Sequence, residues 1–123
     1  MYSLPYQVDL GVNTVHGVLR LEQDGVSIEW RVFDIFEAPK GDLESITIPY
    51  GRLRSVECTG RLGAVRIVIT ADSPSWFQSY PLQSGSITTL RATVKRRYRS
   101  DARSWAAEAA LRIAESDDSL RIE

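Results

Sequence analysis

Apolar and polar residues alternate along most of this chain, and near its C-terminal end the period of two gives way to that of a helix. Val15, Gly17, Leu19 and Leu21 interleave with His16, Val18, Arg20 and Glu22, and Val26, Ile28, Trp30 and Val32 interleave with Ser27, Glu29 and Arg31. Successive side chains on a strand point to opposite faces, so each set marks a strand with one buried face. Asp24-Gly25 stands between the two, which predicts a hairpin closed by a two-residue type I′ turn with positive φ at its centre. Residues 35–44 hold Pro39, Gly41 and several charges and read as a loop that bulges or moves.

Further strands are predicted over 45–50, 53–58 and 65–70 and, after the breaker Asp72-Ser73-Pro74, over 76–82. Pro49 cannot donate to a ladder and marks an edge or a strand end. Gly60 and Gly63 fall in one turn and Ser84-Gly85-Ser86 in another, before a last strand over 87–97 that sets Leu90, Ala92 and Val94 on one face. Tyr2, Leu4, Tyr6, Val8 and Leu10 form a period-two set of their own, which leaves open whether residues 2–13 add a strand. Beyond Ser100, Ala102, Trp105, Ala106, Ala109 and Ile113 stand at offsets 0, 3, 4, 7 and 11, one face of an amphipathic helix. Ser100 suits its N-cap and Asp101 the positive end of its dipole, whereas Asp117 and Asp118 predict an end near Ser116 and a frayed tail over 117–123.

The chain of 123 residues is long enough to bury roughly two thirds of its unfolded surface in one core. Apolar content of 43% and charged content of 25% indicate neither disorder nor a membrane protein, and no apolar run approaches the roughly 18 residues of a spanning helix. The N-terminal residues show no basic or apolar signal region, and Cys58 is the only cysteine, so the expected address is cytoplasmic. A net charge of −1 argues against a dedicated nucleic-acid binder. The charge is nevertheless uneven. Residues 22–44 carry seven acidic side chains against Arg31 and Lys40, and residues 91–103 carry six basic ones against Asp101.

Little of this composition points to catalysis. His16 is the only histidine and sits at an outward position, so a nucleophile–histidine pair has one place to form and no motif to form it. One histidine and one cysteine leave no metal-ligand spacing, and Gly60-Arg61-Leu62-Gly63 lacks the lysine and the helix of a phosphate loop. The strongest candidate is the basic run. Arginine supplies 13 of the 15 basic side chains, and the guanidinium fork suits phosphate and carboxylate. Lys95, Arg96, Arg97, Arg99 and Arg103 are therefore the candidate contacts for an anion or a partner, against the alternative that they merely solubilise a sheet edge. Trp30 and Trp105 fit core positions, whereas Trp76 and Phe77 are candidate interaction aromatics, because neighbouring strand residues face opposite ways.

A tight hairpin, further short strands, and a basic last strand running into a helix with a buried tryptophan resemble the pleckstrin-homology-like (PH-like) superfold in its small bacterial form. The resemblance spans roughly residues 15–116. It rests on the run from Gly17 to Gly25, on Ile46-Thr47-Ile48-Pro49-Tyr50-Gly51-Arg52-Leu53 with Ser55-Val56-Glu57, and on Leu90-Arg91-Ala92-Thr93-Val94 with Arg103-Ser104-Trp105-Ala106. It implies one domain over 1–123, mainly β with one C-terminal helix: a seven-stranded antiparallel partial barrel, capped by the helix. It also implies a binding module without catalysis, and the residues themselves offer no cofactor or metal site. The chain departs from the lipid-binding subset in its first hairpin, where Asp24-Gly25 replaces the clustered lysines and arginines that grip inositol phosphates. The function expected is therefore a non-catalytic binding or assembly module that works through protein contacts, including a homo-oligomeric contact with itself. The alternative is an anionic membrane surface or another anion held by the basic run.

Overall fold

Seven strands form one antiparallel sheet in the computed structural model, which describes residues 3–60, 62–81 and 87–122, with side chains to Asp117. They are β1 (Ser3–Asp9), β2 (Thr14–Leu21), β3 (Gly25–Phe33), β4 (Glu44–Pro49), β5 (Leu53–Thr59), β6 (Val65–Ala71) and β7 (Thr89–Val94). The order across the sheet is β4-β3-β2-β1-β7-β6-β5, so two meanders, β1 to β4 and β5 to β7, join where β1 meets β7. The sheet is not closed, since β4 and β5 remain its two edges. One helix, α1 (Arg99–Ile122), follows and lies chiefly on β5, with further contacts on β1, β6 and the short 3-10 turn Tyr50–Arg52. The mainly β fold with a C-terminal helix stands as expected.

These are seven strands, but not the seven the pattern predicts. Leu4, Tyr6 and Val8 are buried and make residues 3–9 a strand. Residues 74–77 of the expected 76–82 strand are instead a 3-10 helix. The triplet read as a breaker is its start: the Ser73 hydroxyl accepts from the Ser75 N–H at 3.3 Å, and Pro74 occupies the first position. The rest of that segment and the 84–86 turn lie partly or wholly outside the described residues.

Gly25 corrects the reading of the first hairpin. Its φ is not positive, nor is that of Gln23 or Asp24, so the turn is not type I′. Gly25 instead begins β3, opposite Pro49 of β4, and the Glu22 N–H donates to its carbonyl at 2.9 Å. A Cβ on Gly25 would stand 2.1 Å from the carbonyl oxygen of Ile48, so close approach of β4 is what demands glycine here.

The basic run is also bent out of its expected strand. β7 ends at Val94, and Arg96–Tyr98 form a 3-10 turn, closed by a bond of 2.9 Å from the Tyr98 N–H to the Lys95 carbonyl, which leads directly into α1. Ser100 thus falls inside the first helical turn and is not its cap. The helix continues past Ser116 to Ile122. Residues 117–122 contain no glycine or proline, and an aspartate near a helix C-terminus costs only about 0.3–1 kcal/mol, too little to end a helix.

The expected apolar stripe is the buried one: Ala102, Trp105, Ala106 and Ala109 are buried and Ile113 partly so. Small alanines bring the helix close to the sheet, and Trp105 fills the space beneath it. Arg112 fastens the helix further along, donating to Glu108 Oε2 at 2.9 Å, to the Glu22 carbonyl at 3.0 Å and to the Tyr50 hydroxyl at 3.1 Å.

A polar pair lies within this core. The Tyr6 hydroxyl donates to the Glu29 carbonyl at 3.3 Å and shares a bond of 2.8 Å with the Tyr80 hydroxyl, while the Tyr80 ring rests on Trp30 with centroids 4.8 Å apart. Burial drives both phenols well above the ordinary value of 10.0, and the neighbouring Tyr80 adds to the effect on Tyr6. Below about pH 10 both hydroxyls are protonated whether the chain is folded or not. Above it, the unfolded chain releases protons that the folded chain retains, so the stability held by this pair is lost as pH rises. In an alkaline titration followed at the tyrosinate band, Tyr6 and Tyr80 should ionise only as the β-sheet signal collapses. Ionisation of all five tyrosines near pH 10 with the circular dichroism intact would contradict this pairing.

Candidate functional site: the β1–β7 seam

β1 and β7 are joined by a single ladder pair, Gln7 with Thr93, whereas every other neighbouring pair of strands shares at least six. Pro5, two residues before Gln7, has no N–H to continue the ladder. The strand period decides what borders the opening. Leu4, Tyr6 and Val8 face the core, which turns Pro5 and Gln7 outward, and Leu90, Ala92 and Val94 do the same for Thr93 and Lys95. His16 pairs with Gln7, so His16, Gln7 and Thr93 form one rung across β2, β1 and β7 on the outer face.

Beside that rung is a cleft of about 160 Å³, lined also by Pro5, Lys95, Arg97 and Tyr98. The Arg97 guanidinium lies over the Tyr98 ring, 5.0 Å from its centroid, and the His16 ring meets Phe33 edge-on at 5.2 Å. Among the described residues, Gln7, Thr93, Lys95 and Arg97 have no side-chain hydrogen bond or ion pair.

The five basic candidates are therefore divided. Lys95 and Arg97 line the cleft, and Arg96 is exposed on the turn between them. Arg99 and Arg103 belong to α1, and Arg103 lies near Cys58 of β5. Burial pushes the Cys58 thiol up, and Arg103 only partly offsets this, so Cys58 is no ready thiolate. Phe77 is buried in the core and offers no ring surface. Trp76 is half-buried, its indole N–H donating to Asp72 Oδ1 at 3.0 Å, in a groove beside Ile46 and Thr47 of β4. No group of three or more metal-ligating side chains occurs among the described residues, and no helix there is long and apolar enough to cross a membrane.

A second surface escaped the sequence reading. Ile35 is 66% exposed and Phe36 84%, at the tip of the segment between β3 and β4, with Leu43 and, on the β1–β2 turn, Val12 also exposed. Thr14 pairs with both Asp9 and Phe33, so both connections leave the same end of the sheet. The segment read as a bulging or moving loop is a built turn. Asp34 Oδ1 accepts from the N–H groups of Phe36 at 2.8 Å and Ala38 at 3.0 Å, Glu37 takes φ 58°, and Phe33 bridges to Pro39. An aspartate immediately ahead of two adjacent apolar residues, Asp34-Ile35-Phe36, was the available signal. β7 runs antiparallel to β1, so the chain leaving it heads away from that end, and the pairing of Gln7 with Thr93 sets Lys95 level with Pro5 at the middle of β1. Compared with models of known protein families, with curated proteins and with solved structures, the chain matches none of them.

Proposed function

We propose that this chain is a non-catalytic assembly module of PH-like architecture that works through protein contacts, in the first place with a second copy of itself. The observation that carries this reading is the pair Ile35 and Phe36, held outward on an ordered turn, because large apolar side chains fixed in solvent are a feature of contact surfaces. Asp34, Glu37, Asp42 and Glu44 belong to the same segment, so a complementary surface is apolar with basic groups beside it. A different part of the same sheet, the turn at the β1–β7 seam, supplies Lys95, Arg96 and Arg97, which favours a contact between unlike surfaces of two copies. The succession of seven antiparallel strands and one helix supports the PH-like part of the proposal.

Sedimentation equilibrium over a concentration series tests it. The average mass should rise with concentration, less so at high salt, and the rise should vanish in the double variant Ile35→Ser/Phe36→Ser, whose melting temperature stays near that of the wild type. A wild type that is monomeric at every concentration overturns the contact between copies. A double variant that associates normally overturns the surface assigned to it.

A further inference from the structure

We propose that the cleft at the β1–β7 seam is a binding site for a small oxyanion of the phosphate class. Lys95 and Arg97 bring two positive charges to one cleft, and no carboxylate lines it. Neither has an ion-pair partner among the described residues. Two like charges held together without a counter-ion repel, and an anion between them turns that repulsion into attraction. The 3-10 turn fixes their relation, and the contact with Tyr98 orients the Arg97 fork.

The neighbouring rung supplies the remaining partners: the Thr93 hydroxyl, the Gln7 amide and the His16 ring. A phosphate has enough oxygens to take the fork, the ammonium and the hydroxyl at once, which a carboxylate with two oxygens does not. A volume of about 160 Å³ corresponds to roughly five waters, room for the head of a phosphate monoester. These residues come from β1, β2, β7 and the turn after it, so the site exists only in the folded chain. It goes beyond the contact proposed for Ile35 and Phe36, with which it shares Lys95 and Arg97, and phosphate binding by the Ile35→Ser/Phe36→Ser variant separates the two.

The test is amide chemical-shift mapping at constant ionic strength with inorganic phosphate and with phenyl phosphate, chloride serving as reference, beside sedimentation with vesicles that contain phosphatidic acid. The amides of Gln7, His16, Thr93 and Lys95 should shift saturably with phosphate and not with chloride. Affinity should fall by about tenfold or more in Lys95→Gln/Arg97→Gln and in Arg97→Gln alone to a smaller degree, while Arg54→Gln, at an exposed position of β5, changes nothing. Thermal melts of all variants should match the wild type. Saturation by soluble phosphate without vesicle binding assigns a free anion, and vesicle binding that the double variant loses assigns a lipid headgroup. Shifts that chloride reproduces, binding that survives the double substitution, or no saturable binding of either probe would overturn the site.

Discussion

Replacing Trp105 by alanine is expected to leave a chain that is largely unfolded or aggregates at room temperature. Trp105 is 2% exposed and is the largest side chain on the buried face of α1, whose other buried members are alanines. The alanines permit close approach but fill little volume, so the substitution leaves a cavity that the helix has no other large group to occupy. Truncation of a buried tryptophan usually costs about 3–5 kcal/mol, against a total stability of about 5–15 kcal/mol for a domain. Leu111→Ala on the exposed face of the same helix should change stability by less than about 0.5 kcal/mol. Urea denaturation of the two variants measures the contrast. Equal midpoints would mean that the helix is an appendage to the sheet.

Gly25→Ala should be the second most damaging change. The added carbon would meet the backbone oxygen of Ile48 at 2.1 Å, and a backbone atom within a paired strand cannot step aside as a flexible side chain can. Overpacking of this kind typically costs about 1–3 kcal/mol. Gly25→Asn distinguishes the cause. Asparagine tolerates positive φ and would rescue a type I′ turn, but it carries the same Cβ and so should be no better than alanine in this structure. An asparagine variant as stable as the wild type would restore the turn that Asp24-Gly25 suggests. Gly17 belongs to the same class, since a Cβ there would stand 2.0 Å from the Glu29 carbonyl oxygen and 2.7 Å from the Tyr6 ring.

What the sequence discloses is what a short window contains. The β2–β3 hairpin and the buried face of α1 follow from periods of two and of 3.6, and burial at Val15, Leu19, Ile28, Trp30, Trp105 and Ala109 agrees with them position by position. Local pattern misleads where two local rules compete. Trp76 and Phe77 look like strand residues by type, but Ser73-Pro74 starts a 3-10 turn by side-chain capping. Asp24-Gly25 looks like a turn by type, but the approach of β4 uses the glycine for a different purpose.

The candidate cleft was legible only in part. Lys95 and Arg97 stood out by charge, whereas Gln7 and His16 join them through a pairing that no local period encodes. The exposure of Ile35 and Phe36 depends likewise on the Asp34 turn, and the anchoring of α1 by Arg112 depends on carbonyl and hydroxyl groups from distant elements.

The single rung between Gln7 and Thr93 has a further consequence, in chain entropy. All the other ladders join strands that follow each other in sequence, so each closes a short loop. The seam alone links residues from opposite ends of the chain, and the entropy lost on closing a loop grows with the logarithm of its length. One backbone rung offsets little of that loss. What holds the two meanders together is side-chain packing, where Leu4, Tyr6 and Val8 of β1 enter the same core as Leu90, Ala92 and Val94 and where α1 bears on β1 as well as on β5 and β6. The N-terminal strand is thus a clasp fastened by side chains, and its opening would separate the sheet into two ribbons without breaking any ladder within either.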